Sequence, residues 1–418
     1  MGSYLNGTWS QLAGQPYPGA VFSSAVLGDG RLVIQGYEFM RNKFAVSKKG
    51  GIYDPVADTW TKLRPPDDWH YMGECPSVVL PDGRWLIGNK LDKRMAALDP
   101  VTLTWTAMDS SGKSDLNAEE GWTLLPDGTV LTTDVSNAPN SEKYIPWLQT
   151  WVTAGSTIVD LHVVFDTSCV PYGGRDSKCY YPPGEVGPLI LRPDGTVFAT
   201  GSSAHPMSGH TAIYTPPTVP TDPGTWTPGP DFPNGDSPVD TGAVLLPSGN
   251  ILVLGLSGQN YEFDGTRFIR GVIAPGSMLL LPNGQVLINY LDTNKIYTSA
   301  KTSYDPAWAP RITDFPATVT RGSSYMISGQ QFNGLSQAMS VGDEFENATN
   351  YPLVRITNQA TSHVFYARTH DHSTMGVATG DAIVSTHFDV PAGMETGSSS
   401  LQVLANGIPS TPATITVE

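Results

Sequence analysis

The sequence predicts an all-β protein, with a six-bladed β-propeller followed by a β-sandwich. The first observation is a hairpin pattern of two short apolar runs joined by a Pro/Gly turn. It occurs six times, at 26–35, 78–87, 123–132, 189–199, 243–254 and 278–288. The turns start at positions 28, 81, 126, 193, 247 and 282. A spacing of roughly 40–50 residues is typical of propeller blades, in which each repeat supplies one small sheet.

The second observation is an outer-strand pattern that follows most of the hairpins. An aromatic or apolar residue, then Asp or Pro, and then Thr-Trp recur at 52–63, 97–108, 143–154 and 213–228. The fifth repeat has a reduced form and the sixth lacks its Thr-Trp strand, which the segment GTWSQLAG at 7–14 would supply. We therefore expect an N-terminal strand that completes the last blade and closes the ring. A seventh blade follows only if 155–188 contains a degenerate repeat.

The repeat stops near residue 305. From 311 to 418 the chain shows short alternating strands separated by Gly, Asn and Pro, which predict an immunoglobulin-like β-sandwich without a disulfide. The predicted domains are therefore a propeller at 1–305 and a sandwich at 306–418.

The motif YDPVADTW at 53–60 and its relatives resemble kelch repeats. A kelch propeller followed by an early-set immunoglobulin-like domain is similar to the galactose oxidase and glyoxal oxidase superfamily. That resemblance implies a copper ion held by a Tyr-His pair before the last inner strand, by a second Tyr crosslinked to a Cys, and by a His from a sandwich loop.

This chain departs from the superfamily's copper ligands. Ala274 and Pro275 stand at the positions of the Tyr-His pair, and the sandwich loop at 340–346 is acidic. Cys75, the one cysteine left unpaired, has no Tyr partner in a matching motif. Because Cu(II) prefers imidazole ligands, we expect no copper and disfavour a copper-radical oxidase.

Composition excludes several kinds of partner. The net charge of −15 argues against nucleic acid and anionic membranes, and no run approaches the length of a membrane span. Cys169 and Cys179 could close a short loop as a disulfide, which together with Met1, Gly2 and Ser3 as the scar of a removed leader predicts secretion to an extracellular or periplasmic space. We expect a monomer that binds a small molecule or a glycan.

The hairpins predict an acidic ring at one end of the propeller. The residue seven positions before each turn is where the inner strand begins. This end of the propeller, opposite the turns, is called the channel mouth. That position holds or adjoins an acid in four blades, namely Glu74, Glu119 beside Glu120, Glu185 beside Val186, and Asp240. Converging carboxylates repel one another unless a cation or basic group lies among them.

Such a ring could bind a divalent cation. Ca²⁺ and Mg²⁺ take oxygen ligands, and Glu346 of the sandwich loop could add another, whereas Zn²⁺ fits less well. The alternative is structural: each acid caps backbone N–H groups or pairs with an arginine of the next blade.

Histidines form the second group of candidates. His370 and His372 in an H-x-H pattern would share one face of a strand and suit Zn²⁺, although a hydrogen-bonded turn is the alternative. His210 is the candidate for proton transfer, together with the carboxylates Glu74, Glu120 and Glu185. His205, in the same segment as His210, is a candidate for substrate binding, and both could instead be ordinary hydrogen-bonding loop residues.

Aromatic residues adjoin two of the acids. Trp69 and Tyr71 precede Glu74, and Tyr181 precedes Glu185. Aromatic faces beside carboxylates are typical of sugar-binding sites, whereas packing against the blade is the structural alternative.

The sequence thus favours one central acidic site in a secreted enzyme, a hydrolase or lyase acting on a carbohydrate or related polyhydroxylated substrate. The loops at the channel mouth differ between blades, which favours a single site over the repeated sites of a lectin. A lectin-like module without turnover and a divergent oxidase are the alternatives.

Overall fold

The computed structural model describes residues 9–17, 23–40, 43–164, 168–172, 178–204, 207–290, 293–341 and 350–418. Their regular secondary structure is β-strand, apart from two single-turn 3₁₀ segments at Pro233–Gly235 and Pro306–Trp308. None of the described helices is long and apolar enough to cross a membrane.

Six small antiparallel sheets in the described chain are the predicted propeller blades. Blade 1 contains β1 (Ser23–Val26), β2 (Leu32–Met40), β3 (Lys43–Asp54) and β4 (Thr59–Leu63). Blade 2 contains β5 (Ser77–Val79), β6 (Trp85–Gly88), β7 (Met95–Leu98) and β8 (Trp105–Met108). Blade 3 contains β9 (Thr123–Leu124), β10 (Val130–Thr133), β11 (Asn140–Ile145) and β12 (Thr150–Ser156).

A two-stranded hairpin separates blades 3 and 4, formed by β13 (Val170–Tyr172) and β14 (Lys178–Tyr180). Blade 4 contains β15 (Leu189–Leu191), β16 (Val197–Ala204), β17 (Met207–Thr215) and β18 (Thr225–Pro228). Blade 5 contains β19 (Gly242–Leu245), β20 (Ile251–Leu254), β21 (Gln259–Phe263) and β22 (Phe268–Ile273). Blade 6 contains β23 (Ser277–Leu280), β24 (Val286–Tyr290) and β25 (Thr293–Tyr297).

The hairpin turns explain the sequence repeat. In blade 2 the Gly83 N–H donates to the Leu80 carbonyl at 2.8 Å, and Asp82 Oδ1 accepts from the Arg84 N–H at 3.1 Å. Gly83 has φ +87°, a left-handed conformation that favours glycine. The turn therefore needs a glycine at its end, which is why the motif is visible in the sequence.

The inner strands of consecutive blades contact one another around the axis, from β1 to β5, β9, β15, β19 and β23. Buried apolar side chains fill the space between neighbouring blades, and the Thr-Trp strands contribute Trp151 and Trp226 to one such core. The 155–188 segment contains the hairpin β13–β14 and no blade sheet in its described residues, so the count is six.

The described part of the N-terminal segment differs from the prediction. Residues 9–17 form no strand, and blade 6 has three strands in the described chain. Ala13 instead contacts blade 1: its N–H donates to Asp58 Oδ1 at 2.8 Å, and its carbonyl accepts from Trp60 Nε1 at 2.9 Å. The Thr-Trp motif at 8–9 thus does not place residues 9–14 at the edge of blade 6.

The C-terminal part is a curled sheet around its own apolar core, consistent with a β-sandwich. Its strands are β26 (Arg311–Asp314), β27 (Thr318–Val319), β28 (Ser324–Gln330), β30 (Leu353–Asn358), β31 (Val364–His370), β32 (Val384–Asp389), β33 (Gly397–Ala405), β34 (Ile408–Pro409) and β35 (Ala413–Val417). The remaining strand, β29 (Met339–Val341), leaves this sheet and pairs with β19 at the propeller axis.

The curled sheet packs on the turn end of the propeller. The Met375 N–H donates to the Pro81 carbonyl at 3.1 Å, and the His372 N–H donates to the Gly28 carbonyl at 3.0 Å. Since β29 runs antiparallel to β19, it occupies the axis and leads from the turn end toward the opposite end, the channel mouth. Among the described residues, the curled sheet covers the turn end of the propeller and not the mouth.

Candidate functional site

In the described chain, five carboxylic acids lie at the channel mouth, each from a different blade. Glu74, Glu119, Glu185 and Asp240 immediately precede the inner strands of blades 2 to 5. Glu38 lies near the end of β2, which is antiparallel to β1 and so returns to the same end of the propeller. The ring position predicted from the hairpins thus corresponds to the channel mouth.

A lysine lies among three of these acids. Lys90 follows β6, and its Nζ lies 2.6 Å from Glu38 Oε1 and 2.6 Å from Glu119 Oε1. The same nitrogen contacts Glu74 Oε1. All four residues are buried, and Lys90 is 1% exposed. We call Lys90, Glu38, Glu74 and Glu119 the Lys90 cage.

Neighbouring residues shape the Lys90 cage. Tyr180, at the end of β14, donates its hydroxyl to Glu119 Oε1 at 2.6 Å, and its ring centroid lies 5.0 Å from Lys90 Nζ. Gly73 has φ +73°, and a Cβ there would lie 2.9 Å from Lys90 Cδ. The glycine therefore leaves room for the lysine stem, and the tyrosine covers the ion pairs with an aromatic face.

The cage residues have shifted protonation equilibria. Burial opposes the charge of Lys90, but the carboxylates of Glu119 and Glu74 outweigh it and raise the pKa of the ammonium. Burial, and then a hydrogen bond with Glu74, raise the pKa of Glu38 to about 10. At neutral pH the cage therefore contains a charged lysine and a protonated Glu38.

Glu185 and Asp240 lie beside the cage and differ from each other. Burial, followed by the charges of Glu119 and Asp240, raises the pKa of Glu185 to about 9. Asp240 is exposed at the rim, but partial desolvation of its carboxyl group and the charges of Glu74 and Glu119 raise its pKa to about 6. At neutral pH one acid is protonated and the other is ionised.

The backbone holds these two acids at the mouth. The Glu185 N–H and carbonyl pair with Val163 at 2.8 and 2.9 Å. The Asp240 N–H donates to the Val186 carbonyl at 3.1 Å, which ties the mouth of blade 5 to that of blade 4. Asp240 has φ +50°, a left-handed conformation that Asp tolerates better than most residues.

Asp240 opens onto a cleft between blades 5 and 6. The cleft has a volume of about 530 Å³, and Leu256, Ser277, Asn289 and Tyr290 lie on its walls together with Pro275. Tyr290 is 52% exposed. A carboxylate, amide and hydroxyl groups and an exposed aromatic ring thus line one concave surface, a typical composition for a small-molecule site.

Glu120 belongs to a different cluster, which corrects its predicted place at the mouth. Its Oε1 lies 2.7 Å from Lys113 Nζ, and neither side chain is exposed. Glu142 lies 3.5 Å from the same nitrogen, and the Trp151 ring centroid lies 4.7 Å from it. Since Glu120 is closed off from solvent, it cannot touch a substrate.

The histidine predictions also differ from the structure. His210, the candidate for proton transfer, lies within β17, where its Nδ1 is 2.8 Å from the exposed Asp231. His370 is the last residue of β31 and Asp371 has φ +52°, so His370 and His372 do not share a strand face. His370 hydrogen-bonds Asp389 at 3.0 Å, and burial lowers the pKa of His372 to about 4. His205 and Glu346 lie outside the described residues.

The predicted aromatic residues divide into buried and exposed ones. Trp69 is 4% exposed and belongs to a core cluster, so its predicted role in substrate binding is wrong. Tyr71 packs edge-on against Tyr172 at 5.3 Å between centroids, and Tyr181 is 62% exposed. The aromatic residue that reaches the cage is Tyr180, the neighbour of the predicted one.

One group in the described chain has three carboxylates close enough to hold a metal ion, and it is Glu38, Glu74 and Glu119. Lys90 Nζ already contacts all three. The ammonium thus has the central position that a divalent cation would take.

The disulfide and the free thiol agree with the sequence. Cys169 and Cys179 are bonded across the β13–β14 hairpin, and Cys75 is a buried free thiol. The bond closes the hairpin that carries Tyr180 toward the cage.

No protein-family model matches the sequence, and a search of curated proteins gives no match. Among solved structures, the chain is similar to a fungal alcohol oxidase of the AA5 family in complex with copper, at 13% identity over 98% of this chain and 99% of that one, with a TM-score of 0.45. A streptogramin B lyase matches at 12% identity over 69% and 86%, with a TM-score of 0.41. A virginiamycin B lyase from Staphylococcus aureus matches at 10% identity over 91% and 97%, with a TM-score of 0.39. At such identities the similarity concerns the fold alone.

The raised pKa values predict that the protein loses stability as pH increases. Glu38 and Glu185, with pKa values of about 10 and about 9, keep their protons in the folded state and lose them near pH 4.5 when unfolded. Each such group lowers the free energy of unfolding by up to about 1.4 kcal/mol per pH unit between those limits. Urea unfolding from pH 5 to pH 8 should show this decline.

Glu185→Gln should make the decline shallower, because the amide mimics the protonated acid at every pH. Glu395→Gln is the matched control, since Glu395 is partly exposed, at 34%, and its pKa is lowered by hydrogen bonds from Thr361 and His363. An unchanged slope in the Glu185 variant would contradict the assignment.

Proposed function

We propose that the channel mouth is the active site of an enzyme that uses two carboxylic acids for general acid-base catalysis on a neutral carbohydrate or related polyhydroxylated substrate. The observation that carries the proposal is the pair Asp240 and Glu185, whose environments separate their protonation states, with Asp240 on the wall of an open cleft. Two carboxyl groups with separated pKa values suit one proton acceptor and one proton donor.

The two acids have distinct roles in this proposal. Asp240 is ionised above about pH 6 and accepts a proton from the substrate or from an attacking water. Glu185 is protonated up to about pH 9 and donates its proton to the leaving oxygen. On a neutral glycoside the reaction is a hydrolysis: the water that Asp240 deprotonates attacks the anomeric carbon as the bond to the leaving oxygen breaks, and no nucleophilic serine or cysteine is needed. An elimination would require a related substrate with a carbonyl group beside the C–H bond that loses its proton to Asp240.

The Lys90 cage acts on these groups through charge. Glu74 and Glu119 contribute to the raised pKa of Asp240, and Lys90 limits that effect. The cage residues are buried, so they position and tune the two acids without touching the substrate.

Charge and shape support a neutral substrate. The mouth carries more carboxylate than ammonium charge, which disfavours an anionic ligand. Tyr290 provides an exposed ring on which a sugar face could stack, and Ser277 and Asn289 provide hydrogen-bonding groups in the same cleft.

We also propose that this site does not hold the copper of the resembling superfamily. Ala274 and Pro275 directly precede β23, at the positions of that family's Tyr-His pair, and neither has a ligand atom. The proposed reaction therefore includes no oxidation step.

Lys90 is our first candidate for the counter-ion of the acidic ring, and Ca²⁺ or Mg²⁺ is the second.

The secreted location is also part of the proposal. It is supported by the Cys169–Cys179 bond, because disulfides persist in oxidising compartments.

The experiment is an activity screen on a panel of neutral oligosaccharides and polysaccharides and their uronate counterparts, by reducing-end release and by absorbance of unsaturated products. We expect turnover of a neutral member, with a pH profile of kcat/KM that increases through about pH 6 and decreases through about pH 9. Each assay is run with and without EDTA.

The outcomes separate the alternatives. Binding without turnover across the panel would support a lectin-like module instead. If EDTA abolishes activity and lowers thermal stability, and Ca²⁺ or Mg²⁺ restores both, the counter-ion is a divalent cation and not Lys90. Turnover restricted to uronates would contradict the neutral substrate.

A further inference from the structure

A second concave site lies at the opposite end of the propeller, between blades 2 and 3. It has a volume of about 280 Å³ and is bounded by the turns of β5–β6, β9–β10 and β11–β12. Its walls include Trp147, Asp82, Arg84 and Asp127. We call it the Trp147 groove. Seven residues of inner strand separate Glu74 from Pro81 at the groove, roughly 20 Å at the rise of a β-strand.

Trp147 is an exposed aromatic residue that the fold does not require. It is 56% exposed in the turn between β11 and β12, after Pro146. The equivalent turns of blades 1 and 2 read Pro55-Val56 and Pro100-Val101. A valine therefore suffices for the turn. The indole of Trp147 adds an aromatic surface that its own blade does not bury.

Gly128 of the neighbouring turn lies beside the indole. A Cβ on Gly128 would lie 3.8 Å from Trp147 Cζ3 and 3.4 Å from Pro81 Cγ. Gly128 has φ +84°, so the turn favours glycine there, and the absence of a side chain keeps the space beside the ring open. The Leu148 N–H donates to the Ile145 carbonyl at 3.1 Å, which holds the hairpin turn.

Planar polar groups lie on the same walls. Arg84 donates from Nε and Nη2 to Asp82 Oδ2 at 2.8 Å each, so the pair presents an ordered guanidinium and carboxylate. Both are partly exposed, at 34% for Arg84 and 52% for Asp82. Asp127 Oδ1 accepts from the Thr129 hydroxyl at 2.6 Å, which orients a second carboxylate.

We propose that the Trp147 groove is a binding site for a neutral sugar ring of a glycan, separate from the channel mouth. The indole offers an apolar face for the C–H groups of a pyranose, and the Arg84–Asp82 pair and Asp127 offer donors and acceptors for its hydroxyl groups. Two carboxylates against one guanidinium disfavour an anionic sugar. The volume, at the low end for ligand sites, suits a single ring at a chain end or in a branch.

The test is native affinity electrophoresis of the full chain in gels that contain xylan, β-glucan, galactomannan or polygalacturonate. We expect at least one neutral polysaccharide to retard the wild-type protein. Trp147→Ala should weaken that retardation at least tenfold in apparent dissociation constant. Val101→Ala, the equivalent turn position of blade 2, should leave it unchanged.

Thermal melts accompany the gels to show that both variants fold, which the exposure of Trp147 and Val101 leads us to expect. The proposal is overturned if no neutral polysaccharide retards the wild-type protein, or if Trp147→Ala is retarded as strongly as wild type. Retardation by polygalacturonate alone would overturn the neutral ligand. Because the site is distant from Asp240, these outcomes do not depend on the proposed catalytic activity.

Discussion

Replacing Lys90 with methionine should lower the free energy of unfolding by about 3–5 kcal/mol, the usual cost of removing one partner from a buried ion pair. Methionine fills a similar volume but leaves the carboxyl groups of Glu38, Glu74 and Glu119 together without a counter-charge. The three oxygens that contact Lys90 Nζ in the native protein would then repel one another or take up protons.

Urea denaturation at pH 7.5, followed by far-ultraviolet circular dichroism, measures this loss. Lys62→Met is the control, because Lys62 is exposed on β4 and its ammonium lies 5.6 Å from the Tyr17 ring, with no carboxylate cage. A Lys90 variant within about 0.5 kcal/mol of the control, the range of ordinary surface substitutions, would show that the cage does not stabilise the fold.

The pH dependence of the Lys90 variant distinguishes lost charge from lost packing. Without the ammonium, the cage carboxyls hold protons more tightly in the folded state, so lowering the pH should neutralise them at little cost. The stability defect should therefore be smaller at pH 4.5 than at pH 7.5. A defect of equal size at both pH values would indicate packing alone.

The sequence predicted much of this site through the repeat. The hairpin turns are formed by local rules, a glycine with positive φ and an Asp that caps the turn, so counting back from them located Glu74, Glu119, Glu185 and Asp240 at one end of the propeller. The inner strands of the blades have similar lengths, so counting about seven residues back from each turn reaches the mouth.

Some residues at the mouth were not predicted, because they do not lie at the fixed position before an inner strand. Lys90 follows the second strand of blade 2, and Glu38 lies near the end of the second strand of blade 1. Tyr180 comes from the hairpin closed by the disulfide. A basic residue after β6 was the one available signal, since an acidic ring needs a counter-charge, but nothing local marks Lys90 as buried.

The wrong assignments come from adjacent residues and from loops. Glu119 and Glu120 are neighbours, and the left-handed φ of +56° at Glu119 sends one to the axis and the other toward Lys113. His210, the candidate for proton transfer, lies within a strand because β16 and β17 extend beyond the apolar repeat and include it. Trp69 is buried by contacts that its local pattern does not indicate.

Replacing Asp240 with asparagine should reduce kcat/KM on the substrate identified by the screen by 10²–10⁴-fold, the usual contribution of a general base. Asparagine has nearly the same shape and tolerates the left-handed backbone of Asp240, so the fold should not change. The amide cannot accept a proton. The increase of kcat/KM through about pH 6, the acidic limb of the pH profile, should therefore disappear with the activity.

Asp222→Asn is the matched control, since Asp222 is an exposed acid of blade 4 with no part in the mouth. Both variants should melt at the wild-type temperature, which would attribute any loss in Asp240→Asn to chemistry. If Asp240→Asn keeps more than half of the wild-type kcat/KM, Asp240 is not the base. If it loses activity but keeps the limb near pH 6, another group accepts the proton and Asp240 only positions the substrate. Disappearance of both would mean that the rim acid, tuned by the buried cage below it, carries the reaction.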